Sequence, residues 1–359
     1  MNTQRLQKIL ARLEEQNLTQ MIICDPMAIN YLTGRMIDPG ERLYALYINV
    51  SGGHRIFINN LFTVPEDLGV EKVRFFDTDD YLGLLSDCLV SGQAVGVDKN
   101  FPARFLLPVM ERSGAGPFTV SSICVDEVRA CKDEEERAIM RTASQINDQA
   151  MARFRQLIRP GVSELEVASQ MLDIYRELGA DGCSFSPLVA FGPNAAKGHH
   201  LPDDTVLKEG DCVLFDVGCE YKGYCSDMTR TFFYKTAPSE KHRQVYELVK
   251  QAGDAAKAML KPGVPLCQVD AAARSVIEAA GYGPNFTHRL GHFIGQEVHE
   301  YGDVSSANQN VTQVGNVFSI EPGIYLDDEM GVRIEDLVLI TEDGCEILNS
   351  YSRELAVVE

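Results

Sequence analysis

Apolar positions recur along the chain at two periods. Leu6, Ile9, Leu10 and Leu13 share one side of a 3.6-residue repeat, which predicts an amphipathic helix over residues 2–16. Short apolar runs then follow at 21–24, 45–50, 54–58, 73–76 and 94–97, each of a length that suits a buried strand. Ser51-Gly-Gly53 separates two of these runs as a hairpin turn, and 28–32 and 81–90 read as helical. Strands alternating with helices predict a small α/β domain. The texture changes near Asp126-Glu127, so the first domain is expected over 1–126 and the second over 127–359.

The second part opens on the charged run Lys132 to Arg137, the acidic first turn of a long helix carrying Ile139, Ala143, Ile146, Ala150 and Phe154. It ends at Arg159-Pro-Gly-Val162, and a second helix follows from Ser163 to Leu178, opened by the capping box Ser163…Glu166. The same order returns downstream. A helix from Ser239 to Leu260 stops at Lys261-Pro-Gly-Val264, and another runs from about Cys267 to Ala280. The turns are offset by 102 residues, which predicts a duplicated α+β domain with its site between the two halves.

Two apolar hairpins complete the repeat, and both are interrupted by acids. Asp216 and Asp227 fall in the first, within residues 210–234, and Glu321 and Glu335 in the second, within 315–340. Gly210 and Gly315 each stand six residues before the first acid, and the two first acids are 105 residues apart. Phe215, Val217, Ile320 and Ile334 flank these acids closely, so an ordinary solvated face does not account for them. Buried carboxylates are costly unless paired or metal-bound, and facing ones repel unless a cation lies between them. The stretch Thr287-His288-Arg-Leu-Gly-His292 to His299-Glu300 adds imidazole. One histidine and four carboxylates make a hard donor set, better suited to Mn²⁺, Fe²⁺, Co²⁺ or Zn²⁺ in a catalytic site than to a thiolate-rich structural zinc site. Five ligands are too many for one small ion with room for substrate. They suit two ions about 3.5–4 Å apart, and hydrolysis is the natural reaction.

Composition narrows the classes. A formal net charge of −19 argues against nucleic-acid or anionic-membrane partners. No apolar stretch approaches the roughly 18 residues of a membrane span. The first ten residues start a charged helix rather than a signal peptide. The ten cysteines form no CxxC pair and read as reduced thiols of a cytoplasmic protein.

The motifs Asp216-Val-Gly…Tyr-Cys-Ser-Asp227-Met-Thr-Arg, Gly-His292-Phe-Ile-Gly…Val-His299-Glu and Ile-Glu321-Pro-Gly-Ile-Tyr…Val-Arg333-Ile-Glu335-Asp together resemble the pita-bread metallopeptidases, in particular the Xaa-Pro peptidases. The resemblance spans essentially the whole chain. It implies a creatinase/prolidase-type N-terminal domain, a pita-bread catalytic domain, two divalent ions of which Mn²⁺ is the first choice, and a homodimer. It also implies peptide substrates with proline second. Asp216 would chelate one ion, His292 and Glu321 the other, and Asp227 and Glu335 would bridge them. Glu321 would also shuttle the proton. His299 would steady the scissile carbonyl, and His199, chosen over His200 on spacing, would contact the substrate near the peptide nitrogen. Phe185 would line the proline pocket. By strand periodicity Arg333 would hold Glu335 or a substrate carboxylate, and Thr229 would hydrogen-bond Asp227. His288 reads as structural and His242 as solvated.

The chain departs from the family pattern at Phe293, where a small glycine is usual, and at Tyr301-Gly-Asp303, where many members have proline and some prolidases an arginine for the dipeptide carboxylate. Asp303 would repel that carboxylate, which favours Xaa-Pro aminopeptidase over dipeptide-only prolidase. A methionine aminopeptidase usually lacks the N-terminal domain, a creatinase-type hydrolase lacks the ligand set, and a non-catalytic binding scaffold has usually lost ligands.

Overall fold

The computed structural model describes all 359 residues, which divide into two compact units, Met1–Arg129 and Ala130–Glu359. The first unit is a six-stranded mixed sheet. Its spatial order is Glu71–Phe75, Arg55–Asn59, Tyr44–Asn49, Gln20–Ile23, Val95–Val97 and Phe118–Val120. Both faces are buried, and the alternation along one central strand shows how. Met21 and Ile23 pack with Leu6, Ile9 and Leu13 of the Thr3–Glu15 helix, while Ile22 packs on the other face with Phe105 and Val109. Two helices were not anticipated. Ala103–Arg112 carries Pro108 inside it, and Ile123–Ala130 spans the expected 126/127 division, so the units part at its last turn.

In the second unit the two helical pairs are Glu134–Phe154 with Glu164–Glu177, and Glu240–Ala258 with Leu266–Ala279. Asp133 and Ser163 each form a capping box, with Glu136 and Glu166. The acidic hairpins follow these pairs. Cys212–Val217 pairs antiparallel with Met228–Tyr234, and Val317–Ile320 with Asp336–Ile340. Asp216 stays inside its strand, paired with Thr229, but the other acids lie where the hairpins break. Asp227 comes immediately before the Met228 strand and Glu335 immediately before the Asp336 strand, while Glu321 follows Ile320. The residues between the outer strands form smaller hairpins, Cys219–Tyr221 with Tyr224–Cys225, and Gly323–Leu326 with Met330–Arg333. Three of the four acids therefore sit at breaks in the ladder rather than inside a strand, where a side chain can leave the alternation of the pleat. Glu335 N donates to Thr229 O at 3.1 Å, which stitches one hairpin to the other.

All ten cysteines are free; Cys24 and Cys212 are buried and Cys88 is half-buried. No helix is long and apolar enough to cross a membrane.

Candidate active site

Asp216, Asp227, His292, Glu321 and Glu335 line a single cavity of about 770 Å³. His292 Nε2 stands 3.5 Å from Asp227 Oδ2, 3.7 Å from Glu321 Oε1 and 4.0 Å from Glu335 Oε1. His292 Nδ1 lies 3.3 Å from the neighbouring carbonyl, Phe293 O. The His292 backbone N–H donates to Ser319 Oγ at 3.0 Å, and Ser319 Oγ donates to Glu321 Oε1 at 3.2 Å. Asp227 Oδ1 and Glu335 Oε1 are buried and take no hydrogen bond. Burial raises the pKa of Asp227, helped by Asp216 and Glu321, and that of Glu335, helped by Asp227 and Glu321. Burial also raises Glu321. Repelling carboxylates with orphaned oxygens are a poor apolar core but a good cation site. The lining contains no thiol, so the donor set is oxygen and imidazole. Asp227, His292 and Glu335 come close enough together to share one ion, at bond lengths of about 2.0–2.2 Å.

Arg333 and Thr229 act differently from the sequence expectation. Arg333 Nη2 donates to Asp216 Oδ2 at 2.6 Å, Nη1 to Tyr325 Oη at 2.9 Å and Nε to Thr229 Oγ1 at 3.1 Å. Each guanidinium nitrogen is thus hydrogen-bonded within the protein, none of them to Glu335, although Arg333 is among the residues that line the cavity. The strand ends at Arg333, so Glu335 does not continue its face. Thr229 Oγ1 donates to Glu335 Oε2 at 2.7 Å rather than to Asp227. The stitch between the hairpins puts Thr229 beside Glu335, whereas Asp227 precedes the strand. Arg333, Thr229 and Glu335 form one chain of hydrogen bonds, so replacing Thr229 by valine is expected to lower metal affinity and kcat/KM by about 10–100-fold. Unchanged metal binding by calorimetry would count against it.

His299 stacks edge-on against His292 with centroids 4.3 Å apart, and burial, with His292 beside it, lowers its pKa to about 4, so the ring is neutral at pH 7. Its segment is held by Glu300, whose carboxylate accepts from Lys132 Nζ at 2.7 Å and from Gln296 N at 2.9 Å, with both side chains of the ion pair buried. A side chain at Gly295 would meet that carboxylate at 2.6 Å. His199 and half-buried Phe185 line the cavity. His200 also reaches it, but its Nε2 bonds Glu164 at 2.6 Å.

His288 and Tyr325 line the cavity too. His288 Nε2 meets Tyr325 Oη at 2.8 Å, and burial lowers the pKa of His288 to about 4. Tyr325 belongs to the Glu321 motif, but nothing in its spacing said that it would buttress Arg333. His242, on the charged helix, bonds Glu329 at 2.7 Å.

Both departures from the motif lie outside the cavity lining. Phe293 is buried against Phe318, with centroids 5.2 Å apart, and does not narrow the site. A Cβ at Gly302 would meet the Phe293 ring at 2.7 Å, so the glycine makes room for the phenylalanine. Asp303 Oδ1 accepts from Ser305 Oγ at 2.7 Å. The ground for expecting it to repel a substrate carboxylate is removed.

The model of metallopeptidase family M24 matches residues 138–342. The chain is an M24 metallopeptidase. In front of this stretch, residues 5–131 match the creatinase/prolidase N-terminal domain. An uncharacterized peptidase of Staphylococcus aureus is 33% identical to this M24 protein over 356 residues, covering 97% of it and 99% of the relative. Among solved structures, dipeptidase PepE from Mycobacterium ulcerans superposes with a TM-score of 0.93 at 35% identity, covering 99% and 97% of the two chains. Recombinant prolidase from Thermococcus sibiricus gives 0.91 at 33% identity and covers both chains completely. The M24 protein therefore has the creatinase/prolidase-type N-terminal domain and the pita-bread catalytic domain that the resemblance implied.

Proposed function

We propose that the chain is a metal-dependent exopeptidase that hydrolyses the bond between an N-terminal residue and a following proline. The observation that carries this reading is the pair of buried, unpartnered oxygens, Asp227 Oδ1 and Glu335 Oε1, set among Asp216, Glu321 and His292 in one cavity. These five residues would hold two divalent ions, Asp227 and Glu335 between them. Hard oxygen donors suit Mn²⁺, with Co²⁺, Fe²⁺ or Zn²⁺ as substitutes. Such a pair, when bound, makes a shared water acidic and polarises a carbonyl oxygen.

The chain's own groups supply the remaining work. Glu321 takes a proton from the attacking water onto its carboxylate and gives it to the departing proline nitrogen. Neutral His299 donates a hydrogen bond to the carbonyl oxygen as negative charge develops there. His199 contacts the peptide near the scissile nitrogen, and Phe185 offers an apolar face to the proline ring. A homodimer belongs to this reading through the family resemblance, and ten free thiols suit a reducing, cytoplasmic setting.

Substrate length turns on Arg289. It lines the cavity, it is exposed, and its side chain has no partner. With Arg333 fully engaged, Arg289 is the cavity's unengaged cation, and a dipeptide's free carboxylate is the complementary group. This favours the dipeptidase reading over the aminopeptidase one. The names of the M. ulcerans dipeptidase and the T. sibiricus prolidase point the same way. The Mn²⁺-loaded enzyme is expected to cleave Xaa-Pro and Xaa-Pro amide. Arg289→Met is expected to lower kcat/KM for the free dipeptide by about 10–100-fold, as for a lost hydrogen bond to a charged group, while sparing the amide. Equal losses on both would remove the anchor. Failure of metal-loaded wild type on every Xaa-Pro substrate would remove the proline reading.

A further inference from the structure

Glu164 is the first residue of the Glu164–Glu177 helix, and it is completely buried. Its carboxylate gathers four donors from one stretch of chain. Oε1 accepts from Phe191 N at 2.7 Å and Asn194 Nδ2 at 3.1 Å. Oε2 accepts from His200 Nε2 at 2.6 Å and Asp203 N at 3.1 Å. Glu164, His200 and Asp203 are also close enough to hold a metal ion. A carboxylate offers about four lone-pair sites, however, and all are taken by N–H donors. The cluster is a closed clasp, not an open cation site.

The clasp pins residues 191–203 at both ends. The middle of this stretch rests on the sheet, since a Cβ at Gly331 would meet Ala195 O at 1.8 Å. Gly331 belongs to the Met330–Arg333 strand, which leads into the Glu335 break. Beyond Ala196 the chain crosses the cavity, where Gly198, His199, His200 and Leu201 line it. His199 is exposed and has no hydrogen-bond partner of its own. Its position is therefore set by the backbone, which is anchored one residue on through the side chain of His200.

We propose that Glu164 is a positioning residue for the reaction. By locking His200 it fixes the stretch that presents His199 to the peptide; this rests on the role given to His199 above. A displacement of about 1 Å in a substrate-contacting group is enough to cost up to about 100-fold in rate.

The test uses full-length, metal-loaded enzyme. Glu164→Gln keeps the volume but turns one acceptor into a donor facing His200 and Asp203. It is expected to lower kcat/KM on an Xaa-Pro peptide by about 10–100-fold. In a His199→Ala background the same change is expected to cost less than about twofold, because its effect passes through His199. A merely structural role would give the same loss in both backgrounds and overturns the proposal. Should Glu164→Gln fold poorly, His200→Ala replaces it, and His200→Gln, which restores an N–H near the position of Nε2, should recover most of the loss. Backbone hydrogen exchange is a readout independent of substrate. It should rise over 192–203 in Glu164→Gln while the 164–177 helix stays protected, and unchanged exchange overturns the clasp. Wild type inert on Xaa-Pro peptides, with exchange raised in the variant, would instead strike the substrate reading and with it the catalytic part of the proposal.

Discussion

Glu335→Ala is expected to lower kcat/KM on an Xaa-Pro substrate by at least about three orders of magnitude, because it removes a carboxylate that would hold the metal proposed above. Glu335 is buried; Oε2 is held by Thr229, and Oε1 lies 4.0 Å from His292 Nε2 with no hydrogen bond. The stability of the metal-free protein should move the other way. Burial raises the pKa of Glu335, and Asp227 and Glu321 repel it, so its loss relieves a crowded cluster. The metal-free variant should melt at or above the wild-type temperature. Added Mn²⁺ should raise the melting temperature of wild type, through mass action on the folded state, and raise that of the variant far less. A variant that keeps a tenth of the activity, or the full metal-induced shift, would show that Glu335 is not a shared ligand. This opposition between metal-free stability and activity distinguishes a metal-holding carboxylate from one kept for packing.

Local pattern carried much of this architecture. Apolar runs broken by Asp216, Asp227, Glu321 and Glu335 marked both hairpins, because a buried strand leaves few polar positions and an acid in one stands out. The repeated Pro-Gly turns and helix pairs marked the duplication. Contacts across the duplication were not legible. Thr229 bonds Glu335, 106 residues away, and Arg333 bonds Asp216, 117 residues away. A period-2 rule sees only one strand, so it assigned both side chains to the wrong partner. Loop orientation was equally hidden. Phe293 and Asp303 both adjoin site motifs, yet one turns into the core beside Phe318 and the other bonds Ser305. Nothing in the sequence singled out Glu164, because its four donors lie 27 to 39 residues downstream. The Ala103–Arg112 helix escaped because Pro108 breaks its pattern.

The structural counterpart of the acidic cluster lies one residue on. Asp336 is completely buried and binds Arg230 at 2.7 Å and Lys257 at 2.6 Å, and both of those side chains are also buried. Burial alone would raise its pKa, but Arg230 and Lys257 outweigh it and leave the carboxyl below its usual range. Arg230 also donates to the carbonyls of Thr229, Glu335 and Tyr351, so one guanidinium ties both hairpins to the C-terminal segment. Removing one partner of a buried ion pair leaves the others charged and unpaired, at a cost of about 3–5 kcal/mol. Asp336→Ala should lose that much stability in urea unfolding, with an unchanged m-value. Lys257→Met should lose less, because burial already lowers the pKa of this lysine and Asp336 keeps Arg230. Equal losses would mean that the Arg230 pair adds nothing beyond the Lys257 pair, and a wild-type unfolding midpoint for Asp336→Ala would mean that Asp336 does not hold the hairpins. Because Arg230 grips the backbone on either side of the Thr229–Glu335 bond, the loosened variant should also bind metal more weakly, although Asp336 itself does not line the cavity.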